Sequence, residues 1–320
     1  MILIISRKDD PHADLVINEL HRIKKDFFRI NTDFFNEYEV SFSYDSGYIR
    51  NKITGRTVCI EEIGSIWLRR RSFPNDIKNS PEYLHSFLES EWTSFSRNLW
   101  SLLDSKFWIS HPFAIDSAKD KARQLRIAKE IGFCVPKTIF TNSSRNVMTL
   151  LDKHKKCIYK PHNCGPIAPN SDKTIFTNVI SKQSLSDPSI NKELMICPGI
   201  FQEYIEKKYE LRITVVGEKV FATKIDSQKS KKSSVDWRRY DFKNVPHSDF
   251  ILPDSDKNLC IALTKKLGLQ FGAIDAIITP EEKLIFLEIN ANGQWAWIQL
   301  LTHQPIAAAI AELLVLKDDI

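Results

Sequence analysis

The stretch Phe271–Gly293 constrains the fold of this chain more than any other segment. It reads FGAIDAIITPEEKLIFLEINANG, and two apolar runs, Phe271–Thr279 and Leu284–Ile289, flank the loop Pro280–Lys283. Apolar runs rich in Ile, Phe and Leu around a short polar loop are typical of a β-hairpin, although this loop lacks the Asn-Gly or Asp-Gly of the tightest turns. The sequence therefore predicts a two-stranded antiparallel unit within a sheet.

Acidic residues interrupt both predicted strands. If the hairpin is folded symmetrically about its loop, Asp275 lies opposite Glu288, with their Cβ atoms ~5 Å apart. Asn290 follows two residues later and falls on the same face. Oxygen ligands of this kind suit Mg²⁺ together with substrate phosphates, and a cation would relieve the repulsion between paired carboxylates. We therefore expect Asp275, Glu288 and Asn290 to bind a metal beside a nucleotide. The alternative is a solvated polar face, which the apolar surroundings disfavour.

Length and composition exclude several classes of protein. The chain has 320 residues, 42% hydrophobic and 27% charged, which fits a globular protein of two domains, or of one domain with insertions. No apolar run approaches the ~20 residues that span a membrane, and the N-terminal MILIISRKDD is too short for a signal peptide. A net charge of +5 is weak evidence for nucleic acid. The 6 cysteines are scattered without a C-x-x-C pair, so we expect reduced thiols in a cytoplasmic protein with no membrane or nucleic-acid partner.

The first predicted unit covers residues 1–110, where strands alternate with helices as in a small α/β layer. Its short strand Ile63–Arg71 ends in three consecutive arginines. A charge run is usually a solvated face, but strand ends are where open α/β sheets bind ligands, and guanidinium groups fit carboxylate and phosphate. Arg69 and Arg70 are therefore candidate substrate-binding residues.

The second predicted unit covers residues 111–320, with a first lobe at 111–200 and a second lobe at 201–320. Ser117–Gly132 predicts one helix, since small and apolar residues share a face and a glycine ends it. The polar, basic stretch 226–246 predicts a mobile loop.

Charged and polar residues follow a recognisable order along this second unit. The order is Lys121, Lys160, Gln202-Glu203-Tyr204-Ile205, Glu210, Arg212, Lys224, Asp275, Glu288 and Asn290. This ordered set resembles the ATP-grasp superfamily over about residues 111–320. The fold class that the resemblance implies is α+β with α/β elements, in which two α+β lobes grip ATP after a small α/β pre-ATP-grasp domain.

The resemblance also implies a role for each residue. Lys121, Lys160 and Lys224 would bind the nucleotide, Gln202 to Ile205 would join the lobes and read the adenine edge, and Glu210 would bind the ribose. Arg212 would act in catalysis at the phosphates, and Asp275, Glu288 and Asn290 would bind Mg²⁺. In this superfamily ATP phosphorylates a carboxylate, and a nucleophile then displaces the phosphate. Taken alone, Lys121 reads more simply as a surface lysine.

Three further features narrow the resemblance. They are Trp67-Leu68-Arg69-Arg70, Asp236-Trp237-Arg238 and Asn290-Ala291-Asn292-Gly293-Gln294-Trp295. Over essentially the whole chain these look like the ATP-grasp ribosomal peptide maturases, the microviridin-type or graspetide macrocyclases. Such enzymes bind a precursor peptide through its leader and join core Asp or Glu side chains to Thr or Ser hydroxyls, or to Lys amines. By resemblance Arg238 would bind the substrate carboxylate and Asp236 would assist the nucleophile; the plainer interpretation is a flexible basic loop.

Two other functions stay open. One is an ATP-grasp carboxylate–amine ligase that acts on a small amino acid or adds glutamate to a protein tail. The other is a non-catalytic ATP-binding module, against which the intact Asp275, Glu288 and Asn290 set argues. A homodimer is plausible from general frequency alone.

Overall fold

The computed structural model describes residues 1–163, 175–185, 187–229 and 245–318. Asp236 and Arg238, with most of the predicted loop 226–246, lie outside these ranges. Within them, no helix combines the length and apolar character that a membrane span requires.

The N-terminal part contains a parallel sheet and a smaller antiparallel one. Its strands are β1 (Ile2–Ser6), β2 (Phe27–Asn31), β3 (Tyr38–Phe42), β4 (Gly47–Asn51), β5 (Thr57–Cys59), β6 (Ser65–Leu68) and β7 (Phe107–Ile109). Its helices are α1 (Pro11–Arg22), α2 (Asn75–Lys78) and α3 (His85–Leu102). The parallel sheet has the order β2-β1-β6-β7, and β3, β4 and β5 form the antiparallel sheet. Because β1 and β6 run side by side in the same direction, the residues after Ser6 and Leu68 emerge at one edge of the sheet.

The rest of the chain builds two antiparallel sheets with flanking helices. Its strands are β8 (Thr138–Thr141), β9 (Cys157–Lys160), β10 (Asn178–Ile180), β11 (Gly199–Glu203), β12 (Tyr209–Val216), β13 (Lys219–Ile225), β14 (His247–Phe250), β15 (Phe271–Ile278) and β16 (Leu284–Asn290). Its helices are α4 (Pro112–Ser117), α5 (Lys121–Glu130), α6 (Ser144–Lys153), α7 (Pro188–Ile196), α8 (Asp254–Lys266), α9 (Ala296–Thr302) and α10 (Ile306–Asp318). Short 3₁₀ turns lie at Thr32–Glu37, Ile60–Glu62, Glu82–Leu84, Gln183–Leu185 and Ser227–Lys229.

The two antiparallel sheets have the strand orders β10-β9-β11-β8 and β14-β13-β12-β15-β16. Every residue of β12 and β15 is buried, because these two strands lie in the middle of the larger sheet. One continuous hydrophobic cluster joins this sheet to the N-terminal parallel sheet, through residues such as Ile66 and Ile274. The α+β arrangement after a small α/β layer confirms the predicted fold class.

The helix predicted at Ser117–Gly132 begins later than expected, as α5 at Lys121–Glu130. α4 ends at Ser117, and Asp120 begins α5 as its N-cap, accepting hydrogen bonds from the N–H groups of Ala122 and Arg123 at 3.0 and 3.2 Å. Lys121 consequently stands at the first position of α5.

The β15–β16 hairpin confirms that Asp275 pairs with Glu288, although the strands do not pair symmetrically along their whole length. Near the turn the pairing is one residue away from the symmetric one, since Ala276 lies opposite Phe286. A bulge that leaves Leu287 without a partner restores the predicted pairing from Asp275 onward.

Candidate active site

Three strands align charged side chains in one row of the larger sheet. Arg212 on β12 pairs in register with Asp275 on β15, which pairs with Glu288 on β16. Arg212 Nη1 donates to Asp275 Oδ1 at 2.8 Å, and both side chains are more than nine-tenths buried. Asn290 Nδ2 lies 3.5 Å from the second carboxylate oxygen of Asp275. The arrangement therefore brings the three predicted metal ligands together, with Arg212 as an immediate counter-charge.

These three side chains fit a hard cation by donor type. Asp275, Glu288 and Asn290 offer only oxygen, which is the ligand chemistry of Mg²⁺. In the part of the chain that the structure describes, no group of three or more His, Cys, Asp or Glu side chains could hold a metal. The candidate site is thus two carboxylates and an amide, a set that leaves further coordination positions to phosphate or water.

Helix α5 brings a lysine to the same site. Gln124 accepts a hydrogen bond from the Ile289 N–H at 3.0 Å and donates one to its carbonyl at 2.9 Å, so its amide takes the place of a neighbouring strand at the edge of the sheet. Lys121 stands one turn earlier on the helix and forms an ion pair with Glu288. Lys121 is therefore a half-buried residue next to Glu288 rather than a fully exposed one, and its role in nucleotide binding stays a prediction.

The three arginines after β6 have three different environments. Arg69 is 3% exposed and donates from Nη1 to the carbonyl oxygen of Asn292 at 2.9 Å. Arg70 is exposed, and Arg71 forms an ion pair with Asp116 at 2.8 Å. The solvated-face interpretation thus holds for part of the run only.

Arg69 retains hydrogen-bonding capacity in a buried position. Its Nε and Nη2 have no hydrogen-bond partner among the described residues, and Nε lies 3.7 Å from Asp10 Oδ2. Burial lowers the pKa of Arg69 to about 10, while the charge of Asp10 opposes that shift. The guanidinium is therefore still charged at neutral pH, and its charge can attract an anion in the cavity that Arg69 lines.

One cavity of about 660 Å³ joins the arginines to the carboxylates. Its walls include the predicted residues Arg69, Arg70, Arg212, Asp275, Glu288 and Asn290. The volume lies within the usual range for a small-ligand site. Positive and negative side chains therefore line one space, which is large enough for a substrate carboxylate beside a phosphate.

The segment after β16 passes close to Arg212. A Cβ atom at Gly293 would lie 2.4 Å from Ala273 Cβ and 2.7 Å from Arg212 Nη2, so only glycine allows this approach. Arg212 Nη2 donates to the Gln294 carbonyl oxygen at 3.1 Å. The close approach fixes the guanidinium between this segment and Asp275.

The predicted nucleotide residues of the first lobe lie on its sheet, away from that cavity. Lys160 Nζ donates to Gln202 Oε1 at 2.7 Å, and the carboxylate of Glu203 accepts from the Lys137 N–H at 2.7 Å. The Tyr204 N–H donates to a backbone carbonyl at 3.0 Å, and Ile205 is the next residue in the connection to β12.

The predicted nucleotide residues of the second lobe lie at the start of β12 and the end of β13. Glu210 is 4% exposed and accepts hydrogen bonds from Lys207 Nζ at 2.5 Å and Ser227 Oγ at 2.9 Å. Burial raises the pKa of Glu210, and Lys207 opposes that shift. Lys224 pairs with Asp226 at 3.0 Å. These residues do not line the cavity of about 660 Å³.

Sequence reasoning missed several residues that build this site. They are Asp10, His12, Gln124, Lys207 and Ser227. For Asp10 and His12 the available signal was the Asp-Pro-His sequence in the loop after the first strand, because Asp before Pro is typical of a helix N-terminus.

Comparison with known proteins gives a consistent result over the whole chain. The sequence model of the MvdD pre-ATP-grasp domain matches residues 1–116, and that of the RimK-like ATP-grasp domain matches residues 118–314. No curated protein matches the chain.

Solved structures match both parts together. The macrocyclase MdnC from Microcystis aeruginosa MRC, bound with precursor peptide MdnA, is 29% identical with a TM-score of 0.83, covering 98% of this chain and 99% of its own. A Chryseobacterium gregarium RiPP-associated ATP-grasp ligase, in complex with ADP and a leader and core peptide, is 28% identical with a TM-score of 0.88, covering 99% and 96%. The ATP-grasp ligase PsnB, complexed with minimal precursor, Mg and ADP, is 18% identical with a TM-score of 0.77, covering 99% and 97%, and shows the shared fold alone.

Proposed function

Since the chain belongs to the RimK-like ATP-grasp family and is an ATP-dependent ligase, we propose that it macrocyclises a ribosomal precursor peptide. Support comes from the full-length likeness to two ligases whose structures contain precursor peptides. The observation that carries the proposal is the shared cavity, in which Arg69 and Arg70 face Asp275 and Glu288. A ligase that activates a carboxylate needs cationic groups for that carboxylate beside the anchor of ATP.

The acidic side chains at the cavity are proposed to hold Mg²⁺. Asp275, Glu288 and Asn290 would supply its oxygen ligands, and a bound ion would supply positive charge next to the ATP phosphates. Lys121 pairs with Glu288 and would contact the same phosphates. Its compact ammonium suits a role as a point charge there.

The nucleotide is proposed to lie between the two antiparallel sheets. Lys160 on β9 and Lys224 on β13 would contact phosphates, and Glu210 would accept hydrogen bonds from the ribose hydroxyls through the carboxylate that Lys207 and Ser227 already orient. The backbone from Gln202 to Ile205 connects the two sheets and would read the adenine edge.

The proposed reaction has two balanced steps. A carboxylate oxygen of a core Asp or Glu attacks the γ-phosphorus of ATP, which forms an acyl phosphate and releases ADP. A Thr or Ser hydroxyl, or a Lys amine, then attacks the acyl carbon, phosphate leaves, and the nucleophile loses its proton. Arg69 and Arg212 offset the repulsion between the substrate carboxylate and the phosphates. Arg238 is proposed to bind that carboxylate and Asp236 to accept the proton, both by resemblance.

A ligase for a small amino acid is the second candidate, because a cavity of about 660 Å³ would also accept one. The experiment incubates the purified protein with Mg²⁺, ATP and a Thr/Glu- or Lys/Asp-rich peptide encoded beside its gene. For each bond formed we expect one ADP, one phosphate and the loss of one water from the peptide. The loss of water is measured by mass spectrometry of the peptide. The same peptide with its acidic residues changed to amides is the control and should not react.

Two other outcomes would contradict the proposal. ADP release with free amino acids and no change in peptide mass would favour the small-substrate ligase. AMP and pyrophosphate as products would indicate an adenylating mechanism.

A further inference from the structure

A buried acid–imidazole pair lies next to Arg69. Asp10 is 2% exposed and His12 is 7% exposed, and neither lines the cavity. Asp10 Oδ1 lies 3.1 Å from His12 Nδ1, and the second imidazole nitrogen, Nε2, lies 3.2 Å from the backbone nitrogen of Trp295. The pair therefore connects the start of α1 to the segment that follows the candidate metal strand.

The backbone partner fixes the tautomer of His12. The Trp295 N–H can only donate, so Nε2 must accept, and the proton of neutral His12 lies on Nδ1 and is donated to Asp10. Burial lowers the pKa of His12, the hydrogen bond to Asp10 opposes this shift, and the charge of Arg69 reinforces it. Because a backbone amide occupies Nε2, His12 cannot transfer protons to substrate and instead acts as a connector.

Asp10 combines several contacts in one carboxylate. It accepts a hydrogen bond from the Ser6 hydroxyl at 2.7 Å and, as the N-cap of α1, one from the backbone N–H of His12 at 3.0 Å. Its carboxylate also lies 3.7 Å from Arg69 Nε. Burial alone would raise its pKa, but the hydrogen bond from His12 and the charge of Arg69 outweigh it and hold that pKa well below the ordinary range. Asp10 is therefore the ionised counter-charge of a guanidinium that water hardly reaches.

The segment 292–295 is bound at both of its ends by this network. Arg69 Nη1 donates to the Asn292 carbonyl, and His12 accepts from the Trp295 N–H, while Arg212 contacts the Gln294 carbonyl between them. The same segment begins two residues after Asn290. The position of the Arg69 guanidinium and that of the metal strand are thus set by one group of hydrogen bonds.

We propose that Asp10 and His12 are positioning residues, which orient Arg69 and the segment 292–295 so that the charge of Arg69 stabilises the substrate carboxylate in the cavity that Arg69 lines. This inference rests on the proposed function for its substrate. Neither residue touches the reacting atoms. Loss of either residue should raise KM for the carboxylate substrate and leave KM for ATP unchanged.

The test compares three replacements of one residue. His12→Gln keeps an oxygen that can accept from the Trp295 N–H, whereas His12→Asn is too short to do so and His12→Leu has no acceptor. We expect KM for the precursor peptide to rise on the order of tenfold in His12→Leu and His12→Asn, with KM for ATP unchanged, and to recover largely in His12→Gln. Asp14→Asn is the matched control, since Asp14 lies on the same helix but pairs with Arg29 at the surface.

A second readout needs no substrate and so separates this inference from the proposed function. Hydrogen exchange of the Trp295 amide should be faster in His12→Leu and His12→Asn than in the wild type, and near normal in His12→Gln. Asp10→Asn, if it folds, should accelerate the same exchange. If the wild type joins amino acids instead of cyclising a peptide, KM is measured with that carboxylate substrate.

Two results would overturn the inference. One is a folded His12→Leu variant with wild-type KM for the carboxylate substrate. The other is a uniform fall in kcat with both KM values unchanged and no rescue by glutamine, which is what a merely structural role would give.

Discussion

Replacing the two carboxylates of the proposed metal site one at a time should affect stability unequally and activity alike. Asp275 and Arg212 are buried, with side-chain exposures of 8% and 6%, and lie 2.8 Å apart. Asp275→Asn removes the counter-charge of a guanidinium that cannot reach water. Breaking a buried pair in this way costs about 3–5 kcal/mol, and the retained amide oxygen should keep the loss near 3 kcal/mol.

Glu288→Gln removes the charge from a less buried pair. The side chains of Glu288 and Lys121 are 17% and 24% exposed, so the ammonium of Lys121 can be solvated once its partner is neutral. The expected loss of unfolding free energy is about 1 kcal/mol or less. Both variants nevertheless remove an anchor of the metal–nucleotide complex, and each should lower kcat at least a hundredfold, on the order of 3 kcal/mol of transition-state stabilisation.

Urea unfolding and ADP release at saturating ATP, with a magnesium titration, measure the two quantities separately. Glu282→Gln is the control, because Glu282 lies in the turn of the same hairpin and pairs at the surface with Lys208. It should change neither quantity. Equal destabilisation by Asp275→Asn and Glu288→Gln, or activity within threefold of wild type in either, would refute the reasoning.

Three further changes test other parts of the site. Glu210→Gln should weaken ATP binding about tenfold in calorimetry, because a charge-assisted hydrogen bond to the ribose becomes a neutral one; unchanged affinity would place the ribose elsewhere. Arg238→Ala should abolish cyclisation and leave ATP binding near normal, and Arg238→Lys should recover little, since an ammonium cannot contact a carboxylate through two parallel hydrogen bonds. Stability should fall as pH drops below ~6.5, because the unfolded chain takes up a proton on His12 that the folded chain, where its pKa is lowered, does not. His12→Gln should flatten that slope in urea titrations, leaving the part due to His247, whose pKa is also lowered by burial.

Local pattern was enough to predict the hairpin and its neighbours. The two apolar runs around the loop Pro280–Lys283 form the strands Phe271–Ile278 and Leu284–Asn290, and Asp275 pairs with Glu288 as predicted. Such features are short-range, because hydrophobic period and turn position decide which residues face each other. The ordered set of charged residues along the chain indicated the ATP-grasp fold for the same reason, since it needs only sequence order.

The pairing of Asp275 with Glu288, however, depends on a bulge that the sequence does not reveal. Near the turn the strands pair one residue differently, and the bulge at Leu287 returns Glu288 to the row of Asp275. The edge strand also pairs its backbone with Gln124 of α5, a contact that no period in the sequence announces. The two carboxylates lie opposite each other because the bulge at Leu287 accommodates both the turn of the hairpin and the packing of β16 against α5.

The chain by itself determined the layers, the strands that carry the site and the kinds of side chain on them. Only the tertiary structure decided that Arg69 is buried against Asn292, 223 residues away, that Lys121 faces Glu288, and that His12 binds the Trp295 amide. The physical reason is that the partner of a buried charge or amide is set by which distant segments the shared core brings into contact, and hydrophobic patterning selects faces without selecting those partners.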